Sequence, residues 1–175
     1  MSDANDQQAT TTATNGGQPS GGTDLGDGKG VHSIITAIVP ILPGHADALR
    51  QTLHALGDPS RTSPIRVIST IHFARWVLID NDTRLLFTSN FDGTWDSYID
   101  EFIDKASGGL DAIWSHCVDF PEGGSKNREA FKAYVRKYQM KADLFYCAYD
   151  DTTVNDIAKA LRIREKFEAF LDEFS

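Results

Sequence analysis

Residues 69–80 read STIHFARWVLID, and the fold turns on this stretch. Apolar residues rich in β-branched and aromatic types fill it almost continuously, which marks a strand. Strand alternation puts His72, Ala74, Trp76 and Leu78 on one face, and Ile71, Phe73, Arg75, Val77 and Ile79 on the other. A histidine and an arginine are out of place in such a run. The alternation also expects them on opposite faces, which argues against their forming one catalytic pair.

Working outward, the strand spans about 65–79, Asn81-Asp82 makes a tight turn, and RLLFTSN (84–90) returns as a hairpin partner. Upstream, VHSIITAIVPIL (31–42) is a β-branched strand broken by Pro43-Gly44. Ala46, Leu49, Leu53 and Leu56 then recur at helical spacing, predicting an amphipathic helix over 45–56. Downstream, Thr94 is placed to cap a helix carrying Trp95, Tyr98, Ile99, Phe102 and Ile103. Gly108-Gly109 is expected to interrupt it, leaving LDAIWSHCVDF as a short helix or loop. NREAFKAYVRKYQM predicts another helix, DLFYCAY (143–149) a fourth strand, and Thr153 with Asp156 a cap for a long final helix. The implied architecture is α+β: a ferredoxin-like split βαβ with a four-stranded antiparallel sheet and extra helices.

The chain has 175 residues, and 17 basic against 25 acidic side chains give a formal charge of −8. That length suits one domain, over 31–175. Residues 1–30 are Gly, Ser, Thr, Asn, Gln and Asp with almost nothing apolar, a composition that reads as a disordered tail. The tail lacks the apolar core of a secretory signal and the arginines of a transit peptide, and no apolar run suffices for a membrane span. A cytoplasmic protein is expected. The acidic balance argues against nucleic acid and anionic membranes as partners, since neither gains counterion-release energy from it. Cys117 and Cys147 form no CxxC pair and are expected as reduced thiols.

Candidate ligand-binding residues are Arg75, His72, Trp76, Asn90 and His116. Arg75 offers a guanidinium fork to a carboxylate or haem propionate, and His72 a proton or a ligating nitrogen. A purely structural role would pair Arg75 with Asp92 or Glu101 and place His72 at a dimer face. SNFDGTWDSY could hold an anion at a helix N-terminus, but a turn plus cap explains the same residues. In WSHC, His116 and Cys117 lack the spacing of a closed zinc site. His45 and His54 are expected to face solvent. There is no phosphate-binding glycine loop and no HExxH motif, so neither a catalytic residue nor a metal ligand is assigned.

The run IVPILPGHADALRQTLHAL resembles the dimeric α+β barrel superfamily, which includes small monooxygenases, chlorite-dismutase-like proteins and dye-decolourising peroxidases. The block IHFARWVLIDNDTRLLFTSNFDGTWDSYIDEFI resembles an uncharacterised bacterial branch near peroxidase-type proteins. The resemblance implies a homodimer whose sheets close on one another, with a ligand between sheet and helices. Haem-binding members place an axial histidine late in the domain, whereas this chain has none after His116. The expected function is binding of an apolar or haem-like small molecule, by an oxidoreductase or an accessory to a peroxidase-type enzyme. The alternative is a non-catalytic dimeric interaction protein.

Overall fold

The computed structural model describes residues 28–29, 31–58 and 64–174. The elements are β1 (Gly28–Lys29), β2 (His32–Pro40), α1 (Ala46–Gly57), β3 (Ile71–Ile79), β4 (Arg84–Asp92), α2 (Trp95–Trp114), α3 (Arg128–Tyr138), β5 (Gln139–Met140) and α4 (Val154–Asp172), with 3-10 turns at Pro64–Val67 and Gly124–Lys126. This is an α+β fold on an antiparallel sheet, four strands across in the order β1-β2-β4-β3. β4 opposes both β2 and β3, so those two run parallel and α1 connects them around the inserted β4. β5 pairs with β2 at Thr36 and Ala37. Since β4 holds the other edge of β2 there, β1 and β5 share one edge.

The structure corrects several expectations. The segment 143–149 is not a strand; it is an irregular strap, and β1 and β5 take the edge it was expected to fill. Leu144 and Tyr146 stay exposed, so its apolar residues have no sheet face to pack on. β1 lies within the stretch read as tail, while residues 1–27 fall outside the described residues. Residues 64–67 form a turn anchored by buried Ile68, and the strand starts only at Ile71. Gly108-Gly109 does not end α2. α2 instead kinks at Ala106 (φ −137°, ψ 22°), two residues before the glycines, and burial of Leu110, Ile113 and Trp114 holds the helical run beyond them. Two glycines cost about 1 kcal/mol each in a helix, less than such burial returns.

One sheet face carries the core. Ile35, Ala37 and Val39 of β2 and Leu85, Phe87 and Phe91 of β4 pack against Leu49 of α1 and against Tyr98, Ile99, Phe102 and Phe131 of α2 and α3. The Phe91 and Tyr98 rings stack at 3.7 Å, and the Tyr98 hydroxyl is hydrogen-bonded to Ser89. Burial drives the Tyr98 phenol well above its ordinary pKa. The opposite face, with Ile34, Thr36, Leu86, Thr88, Phe73, Arg75 and Val77, has no helix layer among the described residues; Phe73 is 68% exposed. α4 starts at a capping box between Thr153 and Asp156, as its sequence predicts, yet none of its residues is buried. Among the described residues no helix is long and apolar enough to cross a membrane.

Phe91→Ala should cost about 3–5 kcal/mol, as a ring deletion in a dry core does, read from the urea midpoint. Phe73→Ala on the open face should stay within about 0.5 kcal/mol of the parent.

Candidate functional site

Three strands converge on one buried polar cluster. His32 opens β2, Asp92 closes β4, and the two are directly paired in the sheet, so their side chains share a face. Phe91, one residue before Asp92, points into the core, so that shared face is the one without helices. His72 joins them through an irregularity. Ile71 pairs with Phe91 but Phe73 pairs with Asn90, so His72 is the extra residue of a β-bulge. The bulge breaks the alternation expected from the sequence and turns His72 onto the face of Asp92.

The distances are short. His72 Nε2 donates to Asp92 Oδ1 at 2.7 Å, and His32 Nδ1 lies 3.2 Å from the same oxygen. The imidazole rings meet edge-on at 4.7 Å. The side chains of His32, His72 and Asp92 are 3%, 6% and 12% exposed. What covers them is the 141–153 strap: the Tyr149 carbonyl accepts from His32 Nε2 at 2.8 Å, and the Tyr149 ring packs edge-on against His32. Asp92 Oδ2 accepts from the Val154 N–H at 2.8 Å, so one carboxylate also holds the first turn of α4. Gly93 follows with φ +87°, a left-handed turn that suits glycine, and its N–H reaches the Val31 carbonyl at 2.9 Å.

A groove runs along the open face beside this cluster, lined by Ile34, Thr36, Phe73, Arg75, Thr88 and Asn90 of the sheet and Phe145 of the strap. Ile34 and Asn90 lie one pleat from His32 and Asp92, about 7 Å along their strands. Arg75 pairs with neither expected carboxylate. Asp92 belongs to the histidines, and Glu101 is taken by Ser69, Thr70 and Lys105. The guanidinium is exposed at the groove and has no ion pair among the described residues.

The remaining candidates lie elsewhere. Trp76 faces the helices, stacked near Phe87 at 4.9 Å, and so cannot shape a site with Arg75. Its Nε1 is buried with no hydrogen-bond partner among the described residues. His116 sits on the helix side of the molecule, with Nδ1 3.2 Å from Nδ1 of His45 and Nε2 3.4 Å from the Thr52 hydroxyl. His45 is therefore half-buried against His116 instead of facing solvent, while His54 is exposed as expected. Burial pushes the Cys117 thiol up to about 12, which leaves no thiolate nucleophile at neutral pH. Neither cysteine forms a disulfide. At SNFDGTWDSY the Thr94 side chain caps α2 by accepting from the Ser97 N–H, and Asp92 turns away to the histidines.

The sequence made His32 only a weak candidate, and Asp92 a partner for Arg75 or part of the turn before α2. The available signal was positional, since both residues sit where an apolar strand ends. No protein-family model matches the chain, and no curated protein matches it.

His116 supplies a pH test. Burial, then the charge of His45, holds its folded pKa below the ordinary value of 6.5. As pH falls through about 6.5 the unfolded chain takes up this proton first, so stability is lost on acidification until the lower folded pKa is reached. His116→Asn should flatten the denaturation midpoint against pH between about 7 and 5.

Proposed function

We propose that this protein binds a small apolar molecule bearing a carboxylate. The ligand lies along the open sheet face, with its carboxylate on Arg75 and its reactive end toward His32, His72 and Asp92. One observation carries the reading: two histidines and an aspartate are buried together at the end of a sheet face that the described residues otherwise leave open. Burying such a set is costly, and replacing it with packed apolar residues often leaves stability unchanged or improved. Titratable groups kept together beside a groove are therefore candidates for chemistry. The reaction class in keeping with them is that of an oxidoreductase, or of an accessory to one, in which His72 handles a proton or ligates.

A compact ligand suits the site better than haem. His72 and Asp92 lie under the strap with side chains only 6% and 12% exposed, so a porphyrin ring on His72 Nε2 would have to displace the covering chain. The strand order, with β4 between β2 and β3, is in keeping with a ferredoxin-like chain of the dimeric α+β barrel superfamily. Cysteines without a disulfide accord with a cytoplasmic location.

The test is calorimetric titration of the purified protein with a medium-chain fatty acid, benzoate and haemin, alongside native mass spectrometry for co-purified ligand. Arg75→Ala should weaken carboxylate binding by about 10- to 100-fold, the loss of one charge-assisted fork of about 1.5–3 kcal/mol. Wild-type protein that binds none of the probes and carries no extra mass would refute the reading.

A second reading, a homodimer serving interaction alone, draws on α4. Ile163, Phe167 and Phe170 of α4, and Phe174 in the turn just after it, follow a spacing of four, three and four, and all are more than half exposed. That stripe is the seam of a helix that packs on another surface, and a second copy supplies one. Phe167→Glu with Phe170→Glu should convert a dimer to a monomer in light scattering while the far-ultraviolet dichroism is retained.

A further inference from the structure

We infer that His32, His72 and Asp92 form a mononuclear site for a first-row divalent cation. The inference rests on the proposed reading for the meaning of the cluster, and supplies the metal that this reading leaves open.

The two ring nitrogens of His32 meet different neighbours. Its Nε2 is 2.8 Å from the Tyr149 carbonyl oxygen, which can only accept, so Nε2 bears the hydrogen. In the neutral ring Nδ1 is then a bare lone pair. It lies 3.2 Å from Asp92 Oδ1, itself an acceptor. Two acceptors facing each other in a site this dry repel, and something positive has to lie between them. Either a second proton on His32 or a metal ion fills that need.

The geometry around the gap favours the ion. The His32, His72 and Asp92 donor atoms all lie within 4.8 Å of one another. Nitrogen and oxygen ligands about 2.1 Å from a metal sit about 3.0 Å apart in octahedral geometry and about 3.4 Å in tetrahedral. The His32–Asp92 separation of 3.2 Å falls between these values, and the His72–Asp92 separation of 2.7 Å needs only a few tenths of an ångström of opening. A single proton shared between His72 and Asp92 accounts for the shorter contact, but it leaves the lone pair of His32 unanswered.

Outer partners are in place for two of the three ligands. The Tyr149 carbonyl fixes the tautomer that frees Nδ1 of His32 for a metal, and the Val154 N–H holds the second oxygen of Asp92. Ligating histidines usually donate their other ring nitrogen to such an acceptor, and ligating carboxylates are likewise held by a donor. Each ligand comes from a different strand, and the bulge at His72 is what aims the third one inward. Two imidazoles and one carboxylate suit iron, cobalt or zinc better than magnesium or calcium, which take oxygen donors. Cys147 directs its sulfur to the Tyr149 carbonyl at 3.5 Å and stays outside the donor set. Three protein ligands leave coordination positions for water or for the end of a molecule in the groove.

The decisive experiment is titration of chelator-treated full-length protein with Co(II), followed by its visible d–d absorption and by competition with Zn(II), with no organic ligand present. One equivalent of Co(II) bound, with bands that zinc abolishes, is expected. His72→Ala and Asp92→Asn should each weaken uptake by 10-fold or more. Because a ligand variant could unfold, the wild-type protein is also read by ¹⁵N shifts of the His32 ring. Zinc should move Nδ1 to the position of a metal-bound nitrogen while Nε2 remains an N–H. No stoichiometric uptake, together with both nitrogens of His32 protonated in the metal-free protein, would overturn the site in favour of an imidazolium–aspartate pair. Metal uptake without any groove ligand would uphold this inference while the ligand reading failed. Carboxylate binding without metal uptake would do the reverse.

Discussion

A single buried carboxylate organises one end of this molecule. Asp92 is only 12% exposed, and a charge removed from water to that degree is tolerated only if its oxygens are answered. One oxygen is approached by His72 and His32, and the other by the first N–H of α4. The ends of β2, β3 and β4 and the start of the last helix are therefore tied to the same group. Loss of that anion would leave the buried imidazole of His72 without its acceptor and the first N–H of α4 without its partner.

The bulge turns this constraint into a site. Had β3 kept strict alternation, His72 would have followed Ala74, Trp76 and Leu78 to the helix side. The extra residue between Ile71 and Phe73 moves it across instead. The same face then holds a buried polar cluster at one end and an exposed arginine further along. Apolar residues flank Arg75 in the groove, Ile34, Phe73 and Phe145 among them. The strap closes that end through both the carbonyl and the ring of Tyr149.

Much of the architecture was legible because its signals are local. Leu49, Leu53 and Leu56 at helical spacing, the turn before Arg84, Thr94 as a cap and the Thr153–Asp156 box all act within a few residues. DLFYCAY misled because β-propensity reports fitness for a pleated, half-buried surface, and here the edge was already held by β1 and β5. Gly108-Gly109 misled for the opposite reason: a local penalty was outweighed by the burial of Leu110, Ile113 and Trp114. His45 and His116, 71 positions apart, gave no sign that they would meet.

By itself the sequence determined an α+β chain with a sheet, its hairpin, its helices and an acidic surface, since periodicity, caps and turn residues act over short range. It also marked Arg75 and His72 as unusual in an apolar strand. Only the tertiary structure decided that His72 belongs with His32 and Asp92 and not with Trp76. That outcome depends on the register of three strands and one bulged residue, and a register is set by packing across the sheet, which no stretch of the chain carries alone.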